Sequence, residues 1–253
     1  MRIDINSDVG ESFGAYTIGR DAALMRSITS ANVAAGFHAG DPSVLRETIR
    51  LAKTHGVAVG AHPGFPDLVG FGRREMKVTA GEAENFVLYQ VAAVAGVAAA
   101  EGVKLQHVKP HGALFNMAVK NRALATAIAR AVAAFDRSLI LFGLPDSEIL
   151  AAGRAAGLRV AAEVFADRAY EADGSLVSRN TPGAVIHDAD AVVSRAVRMV
   201  RERRVDAIDG APVTLAADTI CIHSDTPGAD DLAIRLRAAL DVAGIAVKAI
   251  GAA

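Results

Sequence analysis

Six apolar runs of strand length each end in a cluster of His, Asp, Glu, Asn or Lys: IDINSDVGE, NVAAGFHAGD, VAVGAHPGF, LQHVKPHGALFN, VAAEVFADRAY and ICIHSD. Side chains of these types move protons, stabilise developing negative charge and hold cations. In a parallel α/β sheet, ligands bind beyond the carboxyl ends of the strands, so six such endings point to one composite active site. The chain reads as an enzyme.

Each cluster offers particular chemistry beside a plainer reading. Asp8 and Glu11 are expected just past the first strand, where unlike surroundings can leave one carboxylate ionised and the other protonated; capping the next element is the alternative. His38 is the better functional candidate of its cluster, because Asp41 three residues on is placed to cap a helix. His62 emerges from the apolar run VAVGA as a base, a metal ligand or a hydrogen-bonded core histidine. Lys109 and His111 flank the rigid Pro110, with Asn116 one or two helical turns further on. Lys109 suits a developing oxyanion or a phosphate oxygen, or is simply a surface lysine. Glu163, Asp167 and Arg168 follow the sixth run, where Arg168 has the fork for a substrate carboxylate or for an internal pair with Asp167. His223 and Asp225 end the last run, while Cys221 is expected to face the core as a small hydrophobe. His55, His107 and His187 read as structural or exposed.

The elements that must position these residues follow from period and punctuation. Asp41, Pro42, the stripe Val44, Leu45, Ile49 and Ala52, and then Gly56 predict a capped helix over 42–55. Thr79 and Glu82 have capping-box spacing ahead of Phe86, Val87, Val91, Val94 and Val97, which predicts a second helix ending near Gly102. Further helical patterns span roughly 122–135, 147–156, 189–203 and 229–243. Short β-rich runs lie around Ile3, Val33, Val57, Leu105, Leu139, Val160 and Ile220. This alternation predicts an α/β, single-domain (β/α) barrel-like fold of about seven parallel strands over 1–253, because parallel strands need helical crossovers. No GxGxxG or Walker A pattern is present to cradle a phosphate.

The 253 residues, 52% of them hydrophobic, are ample for one core. A net charge of -1 gives no electrostatic ground for a nucleic acid or membrane partner. The single cysteine forms no internal disulfide and MRIDINSD runs directly into a strand pattern, which together predict a cytoplasmic protein. The most apolar stretch, VLYQVAAVAGVAAAEG, falls short of a ~20-residue membrane span and is expected to be a buried helix.

The motifs DINSDVGESFG, ANVAAGFHAGDP, GAHPGFPDLVGFGRREM, VKPHGALFN, EVFADRAY, SRNTPGAVI and ICIHSDTPGA, in this order, closely resemble the LamB/YcsF family. The resemblance runs from Ile3 to about Gly228. It implies a barrel-like fold related to the glycoside hydrolase/deacetylase superfamily. It also implies an enzyme that opens 5-oxo-L-proline to L-glutamate with ATP as co-substrate, acting with partner subunits B and C. The polar residues matching the family's motifs are Asp4, Asn6, Asp8, Glu11, Asn32, His38, Asp41, His62, Lys109, His111, Asn116, Glu163, Asp167, Arg168, His223 and Asp225. One departure is Ala35, where the family usually has Cys, which leaves the acid-base residues untouched.

For that reaction Asp8, His38 or His62 are the expected base and acid, Lys109 the oxyanion or phosphoryl contact, and Arg168 the carboxylate clamp. The nucleotide site is expected to be shared with a partner chain. A divalent metal, such as Mg accompanying ATP, and a homo-oligomer are both compatible with the sequence. Two other classes stay open: a metal-dependent amide or carbohydrate hydrolase or deacetylase, and a non-catalytic substrate-binding subunit.

Overall fold

The computed structural model describes residues 1–226 and 228–251; Pro227 of the last motif and the final two residues of the expected 1–253 unit lie outside them. In chain order the elements are β1 (Arg2–Val9), α1 (Asp21–Leu24), β2 (Ser30–Ala34), α2 (Pro42–His55), β3 (Ala58–His62), α3 (Ala80–Ala100), β4 (Leu105–Val108), α4 (Gly112–Lys120) and α5 (Arg122–Phe135). They continue with β5 (Ile140–Gly143), α6 (Glu148–Ala155), β6 (Arg159–Phe165), α7 (Ala189–Glu202), β7 (Arg204–Asp206), β8 (Pro212–Thr214), β9 (Thr219–His223), α8 (Ala229–Val242) and β10 (Ala246–Val247). Strands β1, β2, β3, β4, β5, β6 and β9 pair in parallel, and the register Asp4↔Thr219 to Asp8↔His223 closes them into a seven-stranded barrel.

Strand alternation divides the molecule into two environments. One face of the strands, including Ile3, Ile5, Val33, Val59, Val164 and Ile220, packs outward into the large apolar core shared with the helices. The other face lines the barrel. There Ile140, Phe142 and Ala161 form a small separate apolar cluster, while Asp4, Asn6, Asp8, Asn32, His107, Lys109 and Glu163 are buried polar groups. Buried polar groups are tolerated only when paired, so this interior requires a connected network.

Local signals form the elements they predict. Asp41 accepts from the Ser43 and Val44 amides at the start of α2, and Gly56 closes that helix at φ 66. Thr79 and Glu82 make a reciprocal capping box on α3. The expected buried helix needs correction: α3 is 21 residues, long and apolar enough by length and composition to cross a membrane, with 33% of its most apolar window buried. It lies on β3, β4 and α5 through Ala83, Val87, Gln90, Val91, Val94 and Ala98, and Tyr89 points outward. Three features had no sequence expectation. The hairpin β7–β8 and the strand β10 are two or three residues long, too short to show a period. Helix α4 starts directly after His111, where Pro110 and Gly112 read as a turn.

Candidate active site

A ladder of hydrogen bonds climbs the barrel along β1. At its foot Asp4 Oδ1 accepts from the hydroxyls of Thr29 and Ser30 at 2.6 and 2.8 Å, and Oδ2 accepts from Thr219 at 2.5 Å. Asn6 Nδ2 donates to Thr219 Oγ1 at 2.7 Å, and Asn32 Nδ2 reaches both Asn6 Oδ1 at 2.7 Å and Asp8 Oδ1 at 2.9 Å. His107 Nε2 donates to Asn32 Oδ1 at 2.8 Å, and burial beside Lys109 pushes its imidazole down to about 3. Asp8 is therefore not just past the first strand, as the sequence suggests, but inside it. Period-2 alternation carries Asp4, Asn6 and Asp8 to the same inner face.

Lys109 stands at the top of this ladder. Its ammonium lies 2.7 Å from Asp8 Oδ1, 3.0 Å from Glu163 Oε1, 3.0 Å from Cys221 Sγ and 5.4 Å from the centre of the Phe165 ring. With 3% of its side chain exposed it is not a surface lysine. Burial opposes its charge, but Asp8, Cys221 and Glu163 outweigh this and hold the lysine well above its ordinary value. Burial likewise opposes the Asp8 charge, yet His62 and Lys109 hold that carboxyl well below the usual range. Glu163, with no comparable surplus of positive neighbours, is raised by burial. The expectation for Cys221 is also corrected, since it alternates in phase with His223 and meets Lys109 inside the barrel.

Three imidazoles converge beside Asp8. His62 Nδ1 contacts the Lys109 carbonyl at 2.7 Å, and His111 Nε2 contacts the Phe71 carbonyl at 2.8 Å. The remaining nitrogens, His62 Nε2 and His111 Nδ1, face each other at 2.9 Å. Asp8 Oδ2 is 3.3 Å from His62 Nε2, while Glu11 Oε1 is 3.5 Å from His38 Nε2 and 3.8 Å from His111 Nδ1. His38 stacks on His111 with ring centres 3.7 Å apart. Burial raises the Glu11 carboxyl well above its ordinary value, with the Asp8 charge adding to it, and burial lowers His38 and His111. The glycines of the third motif make room for these rings: a Cβ at Gly64 would lie 2.6 Å from His38 Nδ1, and one at Gly72 2.8 Å from His111 Cδ2. Donor atoms of Glu11, His38, His62 and His111 all lie within 4.8 Å of one another, as do those of Asp8, Cys221 and His223.

On the opposite side His223 Nδ1 pairs with Asp167 Oδ2 at 2.8 Å, and its ring stacks on Phe165. Burial resists ionisation of Asp167, but His223 more than compensates and keeps that carboxyl low. Asp225 sits at the rim and binds Arg73 at 2.7 Å, while Arg73 also lies 5.0 Å over the Phe71 ring. Three candidates stand apart. Asp41 spends its carboxylate on the α2 amides and on Gly14 N, and Asn116 is exposed on α4. Arg168 turns into its own loop, donating to the carbonyls of Val177 at 2.6 Å and Ala184 at 3.3 Å. It is therefore a loop strap and not a free carboxylate clamp. Burial and the nearby Arg179 push its guanidinium down to about 10.

Residue-by-residue reading of the sequence misses Arg73, Phe71 and Arg179. The first two lie in GFGRREM and the third in SRNTPG, motifs that do not end an apolar run and so carry no positional signal. Arg179 lies within electrostatic reach of Arg73, Arg168, Asp167 and Asp225, so guanidinium groups collect where the site meets solvent. His107 reads from the sequence as structural or exposed, although two-residue alternation with Lys109 marks it as interior.

A protein from Tolumonas auensis, named as the A subunit of 5-oxoprolinase, is 57% identical over 98% of this chain and 99% of its own length. One of the same name from Pyrococcus abyssi is 53% identical over 98% of this chain and 97% of its own length. Among solved structures, a lactam utilization protein from Thermus thermophilus superposes with a TM-score of 0.94 at 50% identity, covering 99% of this chain and all of that one (100%). A family 4 carbohydrate esterase from Streptomyces lividans shares the fold, with a TM-score of 0.52 at 12% identity over 99% and 93% of the two chains. The model of the LamB/YcsF family matches residues 3–253, and the chain belongs to that family.

Proposed function

We propose that this chain is the A-type subunit of an ATP-dependent 5-oxoprolinase, a hydrolase that opens the cyclic amide of 5-oxo-L-proline to L-glutamate together with B- and C-type subunits. Its full-length relatives carry that name, and the word subunit in it speaks for partners. The observation that carries the reading is a buried ammonium, Lys109, held beside a hydrogen-bonded Asp167–His223 pair over one polar cleft. An amide hydrolysis needs both parts: a cation for charge developing on the carbonyl oxygen and a group that moves a proton.

In this reading Lys109 faces the lactam oxygen. Phosphoryl transfer from ATP to that oxygen makes it a leaving group, and a first water then adds to the carbon. His223 takes the proton of that water on Nε2 and returns it to the ring nitrogen as the C–N bond breaks, which leaves an open acyl phosphate. A second water releases phosphate and yields glutamate. Asp167 fixes Nδ1–H and balances the transient imidazolium. This moves the proton-transfer role from Asp8, His38 and His62 to His223, because Asp8 Oδ1 is already bound by Lys109 and Asn32. Asn6 and Asn32 act by fixing Asp8. Arg73 and Arg179 at the rim replace Arg168 as the groups for the substrate carboxylate.

The nucleotide has no Gly-rich cradle in this sequence, which supports a phosphate site shared with a partner. The test is glutamate release from 5-oxoproline and ATP by this chain alone and with B- and C-type subunits from the same source. Release is expected only from the assembly. Its absence from a correctly assembled complex would remove the 5-oxoprolinase reading.

A further inference from the structure

The tautomers of two histidines can be read from their partners. A carbonyl oxygen only accepts, so His62 carries its proton on Nδ1, against Lys109 O, and His111 carries its proton on Nε2, against Phe71 O. The nitrogens left bare are the two that face each other at 2.9 Å. Two lone pairs at that distance repel, so something positive must lie between or beside them. A shared proton would satisfy only that pair. It would leave His38, whose two nitrogens are buried without a hydrogen-bond partner, and Glu11 Oε1, which is buried in the same condition.

We infer that Glu11, His38, His62 and His111 form a binding site for one divalent transition-metal cation. A single cation would meet all four unsatisfied donors, which a proton cannot. Two of the imidazoles already have the outer partners that orient metal ligands, the backbone carbonyls of Lys109 and Phe71. The backbone around the rings is close-fitting: a Cβ at Gly64 or Gly72 would enter the His38 side chain at 2.6 or 2.7 Å. Three imidazole nitrogens with one carboxylate oxygen favour borderline ions such as zinc, cobalt or manganese over the all-oxygen preference of magnesium and calcium. Bound there, such a cation polarises a carbonyl oxygen or acidifies a water. The site stands on this geometry alone and does not depend on the lactam reading.

The experiment uses the full-length chain, stripped with chelator and titrated separately with Zn(II), Co(II) and Mg(II). Binding is followed by calorimetry, by metal analysis after gel filtration and by the visible spectrum of the cobalt form. Zn(II) and Co(II) should bind at about one equivalent and Mg(II) far more weakly. Cobalt should show ligand-field bands of nitrogen and oxygen ligation. His38→Gln and Glu11→Gln should each lose at least the ~10–100-fold in affinity that removal of an outer partner alone costs. His187→Gln, an exposed histidine outside the cluster, should bind as wild type. Circular dichroism of the metal-free variants separates lost ligation from lost folding, and the wild-type cobalt spectrum decides the matter if neither variant folds. A stripped wild type that takes up no metal, a cobalt form without ligand-field bands, or folded variants with wild-type affinity would each overturn the inference.

Discussion

The Lys109 ammonium lies 2.7 Å from Asp8 Oδ1 and so ties the end of β4 to β1 inside the barrel, across 101 residues of sequence. Both partners are buried, so neither charge has water to fall back on. Lys109→Met should therefore cost about 3–5 kcal/mol, the usual loss when one member of a buried pair is removed. Turnover by the assembled enzyme should fall roughly ten- to a thousandfold. Adding Asp8→Asn should restore part of the stability but none of the activity. Urea denaturation of the three variants beside their turnover checks this, and a fully stable, fully active Lys109→Met would show that the ammonium has neither role.

Asp167 holds His223 through Nδ1, so Asp167→Asn should leave the fold largely intact while misdirecting the imidazole. Turnover should drop by about 10²–10⁴, with His223→Gln falling at least as far. The pH–rate profile should change shape in Asp167→Asn, which a merely structural carboxylate would not cause. Steady-state kinetics from about pH 5 to pH 9 provide the comparison.

Gly60 opposes His107 across the barrel, and an added Cβ there would lie 2.1 Å from His107 Nε2. Gly60→Ala should displace the imidazole from Asn32 and destabilise the protein by about 1–3 kcal/mol. Gly81→Ala, where a Cβ meets nothing within 4 Å, is the control and should melt at or above the wild-type temperature. Equal melting of Gly60→Ala and wild type would mean that the ring has room to move.

Glu101, just past α3, joins that helix to α2 by hydrogen bonds with Arg50 and Arg46, which bring its carboxyl down to about 2. The folded value lies below the ordinary 4.5, so the stabilisation is present above pH 4.5 and is lost as pH falls towards about 2. Glu101→Gln should lower the urea midpoint near pH 6, and its difference from wild type should shrink at about pH 2.5. A difference that stays constant between those conditions would assign the effect to something other than the charge.

Local patterns determined the seven barrel strands, the capped starts of α2 and α3, and the polar residues at the strand ends, because period and capping depend on neighbours a few residues apart. They equally marked Asp41 as a cap. What only the tertiary structure decided depends on which strand lies beside which. Closing β9 against β1 turned Asp4, Asn6, Asp8, Thr219 and Cys221 towards one another inside the barrel. Folding together segments 49 residues apart set His62 against His111, and the 168–184 loop drew Arg168 away from the cleft. Residue types announce which chemistry is available; the partner that sets each group's protonation comes from another part of the chain, and only the closed barrel brings it within hydrogen-bonding distance.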